Sequence, residues 1–130
     1  TCALPICLSE QYLIRAEARA NQKNYSGASK DLSDLRRARF QGGNGSISVS
    51  EQNWLEIIEE ERVRELYMEG FRLQDLKRWH KGFERKPQEQ SLTNGSSLKI
   101  EADDVRFVWP IPKHELESPG SQIQPNESNK

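Results

Sequence analysis

The sequence predicts a mainly α fold: a tetratricopeptide-like helical hairpin, further helices, and an extended, irregular C-terminal segment. Three observations carry that expectation. Apolar residues recur at three- and four-residue spacing through most of the first eighty positions, the period of an α-helix. Asn24, the Gly42-Gly43-Asn44-Gly45-Ser46 run, Gly70 and Gly82 interrupt this pattern where helices should end. Beyond Glu84 the period is lost, and Pro87, Pro110 and Pro112 enter.

Leu8-Ser9-Glu10-Gln11-Tyr12 opens a first helix that runs to about Gln22, with Tyr12, Leu13, Ala16 and Ala20 on its inner face. Asn24 breaks the pattern. A second helix is expected from about Ser26 to Phe40, its stripe formed by Ala28, Leu32, Leu35 and Arg39, with Tyr25 just outside. Ala16 and Ala28 are small enough for two helices to cross closely, as in a tetratricopeptide hairpin. Arg15 and Arg19 depart from that type, because they stand where apolar groups are usual. One hairpin cannot bury both of its faces, so neighbouring elements are required.

A third helix is predicted to begin near Ser48 or Ser50, with Glu51 completing a capping box, and to run to Glu69. Gly70 ends it by permitting a left-handed cap. A fourth, Phe71 to Lys81, closes at Gly82, with Arg72, Leu76, Trp79 and Phe83 inward. Residues 84–104 read as a loop. Val105-Arg106-Phe107-Val108-Trp109 reads as a short extended run before Pro110 and Pro112. Glu117 to Lys130 reads as an extended tail.

On a helical wheel Leu55, Ile58 and Leu66 share one stripe, and Arg62 lies in its middle with Glu65 and Glu69 at the margin. Arg72 and Asp75 follow across the Gly70 bend. Isolated charges in such a place cost several kcal/mol each, so a mutually paired network of Arg62, Glu65, Glu69, Arg72 and Asp75 is expected to brace the fold. A catalytic carboxylate pair needs freedom from neighbouring cations, whereas here cations are interleaved and keep the acids ionised. No catalytic residue is therefore assigned.

Composition narrows the alternatives. The 130 residues are 34% hydrophobic and 30% charged, which suits a thin helical layer, and the net charge of −1 offers no polyanion surface. The basic runs Arg36-Arg37-Ala38-Arg39 and His80 to Lys86 read as helix ends rather than a nucleic-acid patch. Cys2 and Cys7 form neither a metal pattern nor a disulfide framework, and their redox state is open. His80 and His114 share no ligand spacing, and Glu101-Ala102-Asp103-Asp104 lacks the glycine-punctuated loop of a calcium site, so no metal or cofactor is expected. Asn24, Asn44, Asn94 and Asn126 stand in Asn-X-Ser triplets, read as chance in a chain rich in both residues. Trp79 and Trp109 are expected in the core; Trp54 stands nearer a helix edge, where sugar stacking competes with packing.

Glu61-Arg62, Glu65-Leu66, Glu69-Gly70-Phe71-Arg72 and Asp75-Leu76-Lys77-Arg78 match the pattern E-R-x-x-E-L-x-x-E-G-x-R-x-x-D-L-K-R. Upstream lies Leu8-Ser9-Glu10-Gln11-Tyr12-Leu13-Ile14-Arg15-Ala16-Glu17-Ala18. Downstream, Val108-Trp109-Pro110-Ile111-Pro112-Lys113-His114-Glu115-Leu116 completes a third motif. In this order and spacing the chain resembles the SusD/RagB family, outer-membrane nutrient-binding lipoproteins of Bacteroidetes. The tail run Gln122-Ile123-Gln124-Pro125-Asn126 is only loosely similar to the family's ending.

The resemblance implies that residues 1–130 are one helical region from the C-terminal end of a longer protein. Within it, 8–40 would be the hairpin, 48–82 the third and fourth helices, and 83–130 the loop and tail. It implies a non-enzymatic function: capture of an oligosaccharide or other nutrient, handed to a SusC-like TonB-dependent outer-membrane transporter. No nucleic acid is involved, and the membrane is met only through a lipid anchor upstream. Because glycan contacts in the family come from variable loops, no ligand-binding residue is transferred, and this chain is expected to be mainly scaffold. The competing reading is a helical-repeat adaptor whose groove binds a protein or peptide.

Overall fold

The computed structural model describes residues 7–40, 45–86 and 98–129. Gly42, Gly43 and Asn44 of the expected glycine loop, Cys2, and Pro87 and Asn94 of the expected 84–104 loop lie outside them. The chain packs as two compact units, Thr1–Gly70 and Phe71–Lys130.

In the first unit, α1 spans Leu8–Asn21 and α2 spans Tyr25–Arg39. Asn24 does more than break the pattern. Its side-chain oxygen accepts the Gly27 N–H at 3.0 Å and so caps α2, which places Tyr25 inside the helix rather than before it. The three-residue turn folds α2 back along α1, as the pairing of residues 19 with 27 and 15 with 31 requires. Leu13, Ala16, Ala28 and Leu32 are completely buried along the crossing. Their small-and-large alternation lets the two backbones approach without a void.

The third helix departs from expectation at both ends. α3 runs Trp54–Glu65, starting later than Ser48 or Ser50 and stopping short of Glu69. At its start, Ile47 and Val49 are buried in an extended segment whose amides donate to Ser33 Oγ at 3.0 Å and Ser29 Oγ at 2.9 Å of α2. Those amides are therefore committed to α2 before any helix begins. Asn53 then folds back to accept the Ser50 N–H at 2.6 Å, replacing the predicted Ser48–Glu51 capping box. At its end the chain bends through Met68 at φ 66° and Gly70 at φ 84°. The left-handed residue comes two positions earlier than glycine alone suggested, so Glu69 lies in the bend, outside the helix.

The second unit is built on shorter pieces. α4 covers Arg72–Arg78, less than the predicted Phe71 to Lys81. Strands β1 (Phe83–Glu84) and β2 (Lys99–Ile100) pair antiparallel, Phe83 opposite Ile100. A Cβ at Gly82 would stand 2.2 Å from the Ile100 carbonyl oxygen, so only glycine permits this approach. Phe83 meets the buried Phe107 edge-on, with centroids 6.4 Å apart.

Phe107 lies in a 3-10 turn, Val105–Phe107, where an extended run was expected. Asp104 causes the difference: its carboxylate accepts the Arg106 N–H at 2.9 Å and the Arg106 guanidinium at 2.8 Å. A four-residue helix α5 follows at Lys113–Leu116. The tail closes on a second 3-10 turn, Glu127–Asn129, rather than staying extended. Asn129 both accepts the Ile111 N–H and donates to the Ile111 carbonyl, at 3.0 and 2.8 Å.

Candidate functional site

Charge is concentrated between helices of the first unit, and its arrangement decides what the region can do. Asp31 of α2 is 1% exposed and is gripped by two guanidinium groups of α1. Arg15 donates from Nη2 at 2.7 Å and from Nε at 3.1 Å, and Arg19 approaches at 2.7 Å. The Asp31 hydrogen bond raises the Arg15 pKa above its already high value. Arg15 also lies 5.0 Å above the Tyr12 ring. The two arginines that fit a tetratricopeptide pattern poorly thus hold the hairpin shut.

The second and third clamps join α2 to α3. Glu61 is buried and accepts from Arg36 Nε at 2.9 Å, and Arg64 of its own helix pairs with the same oxygen. Arg39 Nε donates to both Glu65 oxygens at 3.1 Å. That hydrogen bond lowers the Glu65 pKa, against an opposing push from burial and with help from Ser9. A proton-donating carboxylate needs the opposite shift. The pairing with Arg39 favours the ionised form of Glu65.

The five residues singled out in the sequence fall in both units. Arg62 is 6% exposed, on the buried side of α3 with Ile58, as the helical wheel places it. Glu65 bonds to Arg39 of the neighbouring helix, and Glu69 is exposed in the bend. In the second unit Asp75 is buried and accepts from Arg78 at 2.9 Å, while Arg72 opens α4 on the surface. Arg62, Arg72 and Asp75 each make further interactions within the protein.

Sequence reasoning missed Asp31, Glu61 and Arg36. The signal was present as two anomalies of opposite sign on facing helices. Arg15 and Arg19 replace apolar residues on α1, and Asp31 sits beside Leu32 and three positions after Ala28 on the apolar face of α2. The basic run at Arg36 to Arg39 divides its work: Arg37 pairs locally with Asp34 at 3.0 Å, whereas Arg36 and Arg39 cross to α3.

Trp109 corrects its expectation. It is 81% exposed rather than packed in the core, and its carbonyl accepts from Asn126 at 2.9 Å. Trp79 and Trp54 are half-buried, and the Arg78 guanidinium lies 4.3 Å from the Trp79 ring centre. Two of the Asn-X-Ser asparagines, Asn24 and Asn126, use their side chains to hold backbone. His80 pairs with Asp103 at 2.8 Å. Cys7 Sγ lies 2.9 Å from Ser9 Oγ. Among the described residues no three His, Cys, Asp or Glu converge as a metal-binding group, and no helix is long and apolar enough to cross a membrane.

Open grooves lie in both units, among them a groove of about 360 Å3 beside Gln11, Ile14 and Arg15 and the following two. One, of about 410 Å3, lies between the start of α1 and the end of α2 and is lined mainly by Leu8, Tyr12, Leu35 and Ala38. The other, of about 320 Å3, is floored by Leu73, Leu76 and Phe83 with Arg72 and Arg85 at its edges. Neither gathers the convergent buried polar groups of an enzyme site.

The described residues thus form a mainly helical region in which Asp31, Glu61, Glu65 and Asp75 are each paired with arginine. The SusD family profile matches residues 4–127, nearly the whole chain, and the chain belongs to that family. Its members are nutrient- and glycan-binding lipoproteins of Bacteroidetes that associate with SusC-like transporters, and they are binding proteins rather than enzymes. No curated protein and no solved structure matches the chain.

Proposed function

We propose that this chain is scaffold within a non-enzymatic outer-membrane lipoprotein. That protein would capture an oligosaccharide or other nutrient and pass it to a SusC-like TonB-dependent transporter, with its lipid anchor and ligand-binding loops upstream. The observation that carries the reading is the fate of the family-motif acids: Glu61, Glu65 and Asp75 are each paired with arginine inside the protein. A carboxylate so paired is poorly suited to exchange partners with a neutral sugar. The test compares this chain alone with the full-length protein on a glycan array and by calorimetry. The expected result is no measurable binding by the chain alone and binding by the longer protein. Affinity of the chain alone, lost on Trp54→Ala or Trp109→Ala, would overturn the scaffold assignment.

The same reading gives Arg62, Glu65 and Glu69 in the first unit, and Arg72 and Asp75 in the second, a structural rather than a catalytic or ligand role. Arg62→Ala is expected to lower stability by about 3 kcal/mol, the scale for breaking a buried pair. Arg62→Met should be nearly as damaging, because it restores packing but leaves carboxylates uncompensated. A loss below about 0.5 kcal/mol by urea unfolding, typical of surface changes, would remove Arg62 from that role.

A further inference from the structure

We draw no further inference here: the strongest candidate, the open apolar groove between the start of α1 and the end of α2 lined by Leu8, Tyr12, Leu35 and Ala38, carries nothing because nothing in the structure shows what covers it.

Discussion

The two units solve the same problem, holding short elements together around a small core, with different chemistry. In the first, beside local pairs such as Arg37–Asp34, the Arg15–Asp31, Arg36–Glu61 and Arg39–Glu65 pairs join residues 16, 25 and 26 positions apart and tie one helix to another. In the second, the described Asp75–Arg78 and Asp104–Arg106 pairs span three and two positions. The described long-range ties there are mostly neutral: the Phe83–Phe107 contact, the Asn129 bonds to Ile111, and the Asn126 bond to Trp109. The exposed His80–Asp103 hydrogen bond is a further long-range tie. Among the described pairs, arginine–carboxylate clamps join helix to helix in the first unit, and the second adds neutral aromatic and amide ties. Buried pairs resist salt screening but punish the loss of one partner, whereas neutral ties do not titrate and are not weakened by charge screening.

The largest effect expected from breaking this contrast is at Asp31. Arg15→Met with Arg19→Met strands a buried carboxylate and should cost about 3–5 kcal/mol in urea unfolding. Each single change leaves one guanidinium in place and should cost clearly less, so the pair should be more damaging than its sum. Adding Asp31→Asn to the double variant should recover part of the loss. If the double variant loses less than about 0.5 kcal/mol, the clamp contributes nothing to the hairpin.

In the second unit the corresponding break is apolar. Phe107→Ala removes a ring that is 4% exposed and the edge-on partner of Phe83, and should cost about 3 kcal/mol. Hydrogen exchange at the α4 and β1 amides reads the loss within that unit. It should be the same at low and high salt. A loss that varies with salt would mean that charge, and not the aromatic pair, governs this unit.

How much of this was legible follows from the same distinction. α1 and α2 were readable because helical period, a capping asparagine and small crossing residues all agree, which is the condition for a sequence to specify its local structure. The buried position of Arg62 was readable from the wheel alone. The start of α3 departs from the cap expected at Ser48 because Gly45-Ser46-Ile47-Ser48-Val49 alternates with period two, the pattern of an extended segment. Those residues are buried and exposed in strict alternation along α2. The 3-10 turn at Val105 was hidden because Asp104 competes for the Arg106 amide, and that competition shows in side-chain geometry rather than in periodicity. The clamps were half visible. Each anomalous charge could be marked on its own helix, but which acid meets which arginine is fixed only when the hairpin closes.

Acid sharpens the comparison with the smallest effect. Arg39 lowers the Glu65 pKa below its ordinary 4.5, so Glu65 contributes stability above that value and loses it as pH falls through the lower folded value. In the second unit Arg106, through its side chain and then its backbone N–H, lowers Asp104 from 3.8 to about 2. Its contribution is likewise present at neutral pH and fades between 3.8 and about 2. Both acids titrate in the same direction, but their protonation should be felt at different range. Neutralising Glu65 loosens a tie between α2 and α3, so exchange protection should fall at amides across the end of both helices. Neutralising Asp104 should affect only the 105–107 turn. Carboxyl carbon NMR titration, read beside hydrogen exchange, follows both groups in one sample. Arg39→Met should return the Glu65 midpoint towards 4.5 and weaken the acid response of α3, leaving the Asp104 midpoint unchanged. An unmoved Glu65 midpoint would show that Arg39 does not hold this carboxylate, and the charge contrast between the two units would then rest on Asp31 and Glu61 alone.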